Sequence, residues 1–244
     1  MPPAKPKKRP ARVKEAAAPA APKTCLVLRT CHADMTSYNG FRWPESGPVE
    51  APDWSPVEMY GHGLHGFKWG EGQGDLADWS PEAKWLVVEV EESTIVDLDG
   101  KVKFPRGVVV HCGDRISATA YLAEHGGAGR AIVGGTATAG YRGTATAGDR
   151  GTATAGDGGT ATAGYRGTAT AGDGGTATAG DRGTATAGDG GTATAGDGGV
   201  LAIKYWDDVA ERIRVALAYV GEGGIEAGKP YRLDAGRKFV EATP

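Results

Sequence analysis

Two histidines, His62 and His65, stand three residues apart in the glycine-rich stretch GHGLHG. They are the side chains of this 244-residue chain best suited to acid–base or metal chemistry. Glycine on every side denies them the geometry of a helical His-x-x-His pair. A four-ligand zinc site would need His111 and Cys112, or Cys31 and His32, folded beside them. Tight-turn packing is therefore the expected role, metal-dependent chemistry at His62 and His65 is the alternative, and no cofactor is expected. GEGQGDL, residues 70–76, has the glycines of a phosphate loop but no clear leading strand and no following lysine, so it reads as a plain loop.

Three cysteines, Cys25, Cys31 and Cys112, form no CxxC pair, and their odd number fits a reducing compartment; at least two are expected to be buried as small apolar residues. The net charge of −3 hides a split. Residues 1–23 hold seven Lys/Arg against Glu15, a net +6, which leaves −9 for the rest. That Pro/Ala/Lys tail cannot bury enough apolar surface to offset its ordering entropy and is expected to be a disordered, solubilising leader. Weak, salt-dependent contact with nucleic acid or an anionic surface is its alternative role. No apolar secretory stretch or membrane span is visible, so the default expectation is a cytoplasmic protein without membrane contact.

The elements that must position these residues divide the chain into four. Residues 24–127 read as a small α+β domain whose clearest strands are KWLVVEVEEST, 84–94, and KVKFPRGVVVHC, 101–112, with LDG as the turn of a hairpin between them. A short helix follows in 114–127, with Asp114 as its cap, Ile116, Ala120, Tyr121 and Leu122 towards one side, and Gly126 at its end. Five of the six tryptophans (Trp43, Trp54, Trp69, Trp79, Trp85) precede the repeats and Trp206 follows them; they are expected to build small cores. Residues 199–244 read as a β-rich cap of two alternating strands and a hairpin turning at Asp234-Ala235-Gly236.

Between them, in the unit 128–198, lies an octad repeated eight times from Gly135 to Gly198: Gly-Thr-Ala-Thr-Ala-Gly, then Tyr-Arg, Asp-Arg or Asp-Gly. Thr-Ala-Thr-Ala alternates at period two, a strand signal, and the remaining four residues carry turn chemistry. Two octads close one coil, so the block reads as a two-sided β-solenoid of sixteen residues per coil and about four coils. Alanine should point inward, because interior threonines would bury hydroxyls without partners. Tyr141 and Tyr165 are three octads apart and fall on opposite edges, so they form no ladder. The Asp corners should keep the edges soluble; calcium there is the lesser alternative, since the period is not that of calcium-binding nonapeptides.

Residues 139–154, AGYRGTATAGDRGTAT, resemble the sixteen-residue coil of bacterial ice-nucleation proteins. The resemblance covers 64 residues and implies a β-solenoid whose outward Thr-x-Thr ladders order water into an ice-like layer. Carried over, the water-facing positions are Thr136, Thr138, Thr144, Thr146, Thr152, Thr154, Thr160, Thr162, Thr168, Thr170, Thr176, Thr178, Thr184, Thr186, Thr192 and Thr194. This block departs from the family in having few coils, two tyrosines out of phase, and Ala and Gly at interior positions, which implies weak ice nucleation at most. The flanks, at 61–66, 87–110 and 231–240, resemble uncharacterised bacterial and phage octapeptide-repeat proteins. The combined expectation is a non-enzymatic, mainly β protein that binds ice or ordered water. The alternative is a structural or interaction module of phage type, with self-association or a protein partner held by the N-terminal domain.

Overall fold

The computed structural model describes residues 22–242, so the expected disorder and nucleic-acid contact of the tail lie almost wholly outside the described residues. The first part of the chain is an antiparallel sheet of seven strands: β1 (Thr24–Cys31), β2 (Gly47–Glu50), β3 (Leu64–Lys68), β4 (Lys84–Glu91), β5 (Val96–Asp97), β6 (Val102–Phe104) and β7 (Arg106–Gly113). They lie in the order β2-β7-β4-β1-β3-β6-β5, so β1 and β4 are central and read as near-continuous apolar runs.

The hairpin expected across LDG is smaller than the sequence reading has it. Only β5 and β6 pair through that turn, while β4 pairs with β1 and β7. Pro105 divides the run 101–112 into β6 and β7: it has no N–H to donate to a ladder, and beyond it the chain moves from β3's side of the sheet to β4's.

Helix α1 (Arg115–Leu122) starts as expected, with the Asp114 carboxylate accepting from the Ser117 N–H in a capping box. Its buried side is the expected one only in part: Leu122 is buried and Tyr121 packs against the same cluster, but Ile116 and Ala120 do not join them. Ala118, Thr119 and Leu122 pack on the sheet, whereas Ile116 is 67% exposed and Ala120 faces solvent. Ala118 and Leu122, four apart, share a stripe with Arg115, and the Arg115 guanidinium donates 2.6 Å to the Gly134 carbonyl. Anchoring that polar contact turns Ile116 outward.

Strands β8 (Thr136–Ala139) to β15 (Thr192–Ala195), four residues each, alternate between two parallel sheets. Each residue pairs with the one sixteen further on: Thr152 lies between Thr136 and Thr168, and Thr160 between Thr144 and Thr176. From Ala145 to Ala195 the inward alanines are at most 3% exposed and fill the space between the sheets with methyl groups alone. The stack begins before the repeat does. Ile132 and Val133 sit one coil below Gly148 and Asp149, with the Gly148 N–H donating to the Ile132 carbonyl.

Both ends are covered. At the far end β16 (Val200–Asp207) extends one sheet in parallel and β17 (Arg212–Tyr219) returns antiparallel to it; β18 (Tyr231–Leu233) and β19 (Phe239–Glu241) extend the other, turning at Asp234 as expected. At the near end the loop 69–79 docks on the first coil. The Gly74 N–H donates to the Asp149 carboxylate at 2.9 Å, Arg150 pairs with Asp75 at 3.2 Å, and the Arg150 guanidinium lies 4.7 Å from the Trp79 ring centre. GEGQGDL is thus a connecting segment ending in a 3-10 turn at Gly74–Leu76; a strand, β3, does lead into it, contrary to expectation, but the anion its backbone meets is a carboxylate of the solenoid.

Candidate functional site

The parallel register stacks threonine over threonine, giving two faces of four rungs, each rung two threonines wide. All sixteen threonines are exposed or half-exposed. Among the described residues no repeat-threonine hydroxyl bonds to another protein group, so each is free to bond water. At about 4.8 Å per coil and about 6.7 Å between alternate residues, each array spans about 14 by 7 Å. β-Branching limits threonine to few rotamers, so hydroxyls and methyls repeat in register rather than at random.

What makes the faces regular is the corners. Every corner holds its third residue at positive φ, glycine at 158, 174, 190 and 198 and arginine at 142, 150, 166 and 182. Arginine there costs about 1 kcal/mol relative to glycine. Four of the six aspartate corners are also bonded to the next coil: Asp149 Oδ1 accepts from the Tyr165 N–H at 2.9 Å, Asp157 from Asp173 at 3.0 Å, Asp173 from Asp189 at 2.9 Å and Asp181 from Asp197 at 3.0 Å. The carboxylates caught as solubilising groups are therefore also staples between coils. Their recurrence at sixteen residues was the signal available in the sequence. The stapling oxygens explain a neighbouring glycine as well, since a Cβ at Gly188 would stand 2.2 Å from Asp173 Oδ1. Tyr141 and Tyr165 lie on opposite edges and make no ladder, as expected; at each the stack of carboxylates is missing one member.

The histidine candidates do not assemble with the other ligand types. His62, at φ +51°, lies in the open turn with Nδ1 3.5 Å from Asp53, while His65 is half-buried on β3. His32 bonds to Asp78 at 3.0 Å, and His111 to Ser117 at 3.1 Å. Among the described residues no three His, Cys, Asp or Glu side chains gather as a metal site would require. Burial, together with the charges of Lys101, Arg29 and Lys103, lowers the His65 pKa to about 4, the opposite of an environment that would hold a cation. Cys25 and Cys31 are 1% and 2% exposed, and burial raises both thiols to about 11, which removes them as nucleophiles. Trp43 and Trp85 are core residues, but Trp206 is 46% exposed. It shares an outward surface with Ile213, Val215, Leu217 and Tyr219 of β17, where the threonine register has passed to Val200 and Ala202.

With this geometry in view, comparison with known proteins gives two results. Residues 25–124 match the domain of unknown function DUF7666. The chain is also similar to ice nucleation proteins: one from Pseudomonas syringae, 43% identical over 100 residues, which is 40% of this chain and 9% of that protein; one from Pseudomonas fluorescens, 41% identical over 102 residues, or 41% and 8%; and InaU from Pantoea ananas, 38% identical over 102 residues, or 41% and 10%. The matches thus span no more than a tenth of these relatives' length. No solved structure matches the chain. The solenoid is an ice-nucleation-like repeat, and the resemblance seen in AGYRGTATAGDRGTAT holds.

One expectation is overturned. Ice nucleation proteins are outer-membrane-anchored surface proteins, which is inconsistent with the cytoplasmic location inferred above. That inference came from cysteine number and from segments not seen, and neither carries a cellular address. The described residues contain no helix long and apolar enough to cross a membrane.

Proposed function

We propose that the chain is a non-enzymatic repeat protein whose two Thr-x-Thr faces bind ice or order water, with weak ice nucleation at most. The observation that carries this reading is the in-register stack of outward threonines whose hydroxyls have no protein partner among the described residues. Similarity to proteins named for ice nucleation supports it. The limit on nucleation follows from area: arrays of about 14 by 7 Å template few water molecules each. The water-facing groups are the sixteen threonines from Thr136 to Thr194.

Thermal hysteresis and ice-crystal shaping test the reading, beside droplet freezing. Wild type should shape growing ice while raising the freezing temperature little. Thr152→Lys with Thr168→Lys should abolish activity of one face, and Thr160→Lys with Thr176→Lys that of the other. Unshaped ice with wild-type protein, or variants with both faces changed that act like wild type, would sink the proposal.

A second reading, self-association, is favoured by β17. It is the last strand of its sheet, and it exposes Ile213 at 65%, Val215 at 50%, Leu217 at 58% and Tyr219 at 51% on one surface. Antiparallel pairing with a second copy about Ala216 would set Ile213 opposite Tyr219 and Val215 opposite Leu217, with no like charges opposed. Light scattering should then show a concentration-dependent dimer that Val215→Lys dissociates; a wild-type monomer at high concentration rejects the reading.

A further inference from the structure

The N-terminal sheet carries a second site that uses neither threonine face. Beside β1 a cavity of about 580 Å³ opens between the turn around Tyr38, the segment 52–65 and Lys101. Its size is that of a small-ligand site. Four buried side-chain polar atoms lack a hydrogen-bond partner among the described residues, and three of them belong to this wall: Arg29 Nε, Trp43 Nε1 and His65 Nε2. Native proteins leave few such groups, and each costs about 1–3 kcal/mol.

The charge of the wall is as unusual as its hydrogen bonding. Arg29 occupies the alternate position between Val27 and Cys31 on β1, in a row whose other members pack with Trp43 in the core. Among the described residues it makes neither an ion pair nor a hydrogen bond, and its guanidinium carbon rests 5.5 Å from the centre of the Trp43 ring. Lys101 likewise has no acidic partner and lies 4.6 Å from the centre of the Tyr60 ring. Burial lowers the pKa of both, and Arg29 lowers that of Lys101 further. Asp78, whose charge acts on Arg29, is already bonded to His32 and Ser80, and Asp53, which lines the cavity, lies 3.5 Å from His62. A third cation, Lys103, is satisfied by the Met59 carbonyl at 2.9 Å and faces the Trp54 ring.

Buried cations are normally paired, because desolvation is offset only by an opposite charge or by hydrogen bonds. Arg29 and Lys101, both partly buried, have no ion-pair partner at this wall, against one lining carboxylate, Asp53, so the wall favours an anionic group. Arginine adds the forked donor geometry that suits phosphate oxygens. Around the mouth stand Tyr38, Phe41 and Tyr60, flat apolar surfaces on which a planar ring can rest. We propose that this cavity binds a small phosphate monoester bearing a planar ring, of the nucleoside monophosphate class. The phosphate lies between Arg29 and Lys101, and the ring lies against Phe41 and Tyr60. His65, held neutral by burial and then by the surrounding cations, leaves the positive charge of the wall to Arg29 and Lys101.

Isothermal titration of the full chain at neutral pH tests the assignment with four probes: adenosine monophosphate, uridine monophosphate, adenosine and inorganic phosphate. Both monophosphates should saturate a single site, with adenosine and inorganic phosphate weaker by about tenfold or more. Lys101→Gln and Arg29→Met should each weaken monophosphate binding by about tenfold or more while circular dichroism is unchanged. If Arg29→Met does not fold, Lys101→Gln, at the rim of the cavity, decides alone. Absence of saturable heat with either monophosphate, adenosine binding as tightly as its monophosphate, or wild-type affinity in Lys101→Gln would each overturn the site.

Discussion

Leu28 of β1 pairs with Phe67 and Val87, far along the chain, whereas Thr152 in the solenoid pairs with Thr136 and Thr168, one coil to either side. The two regions also fill their interiors differently. The N-terminal sheet buries Phe104, Leu28, Leu86 and Leu122, large side chains of particular shape, while the solenoid buries a column of alanines. In the sheet, order depends on which distant side chains fit together. In the solenoid it depends on uniform spacing, maintained by backbone bonds, carboxylate staples and glycines that allow the coils to approach. The same kind of substitution should therefore act by different means in the two regions.

The largest effect is expected from deletion in the sheet: Phe104→Ala, at a fully buried position, should cost about 4 kcal/mol in thermal or denaturant unfolding. A loss below about 1 kcal/mol would mean that the sheet collapses around cavities as easily as the solenoid stacks. The reverse change probes the other interior. Ala169→Leu, at 0% exposure between two sheets that only methyls separate, should cost about 3 kcal/mol by overpacking and show first as faster amide exchange in the neighbouring coils. Tolerance of leucine there would show that the alanine column is not close-packed.

A pH titration isolates one residue of the sheet. His65 titrates at about 4 in the folded protein, below the ordinary 6.5, so the unfolded chain binds the additional proton between those values and stability must fall as pH falls through that window. About 1–2 kcal/mol should be lost by pH 5, and His65→Asn should flatten the slope between pH 6.5 and 4.5. An unchanged slope would remove His65 as its cause. The smallest effect is expected at a solenoid corner. Asp173→Ala leaves the Asp189 N–H without its acceptor and should cost about 1 kcal/mol, with faster exchange confined to that amide and its neighbours. Exchange that accelerates along the whole stack would show the staples to be cooperative.

These two kinds of order decide how much could be read in advance. The coil period, the inward alanines, the opposed tyrosines and the turn at Asp234 are local or strictly repeating, so spacing alone reveals them. The buried side of α1 depended on where Arg115 found the Gly134 carbonyl, and the division of 101–112 on what Pro105 could pair with across the sheet. The unpartnered Arg29 had a sequence signal, a charge in the interior row of CLVLRTC, but its companions Trp43, His65 and Lys101 come from three other segments.

By itself the sequence determined the solenoid: a strand of alternating threonine and alanine, a glycine-bounded corner, and a repeat that leaves each coil no nearer partner than its copy. It also determined which groups point outward, because hydroxyls buried among methyls would go unbonded. Tertiary structure alone decided how both ends are covered and which cations share one wall of the N-terminal sheet. The reason is physical: such contacts join residues that no period relates, and they exist only once large side chains have found the shapes that fit them.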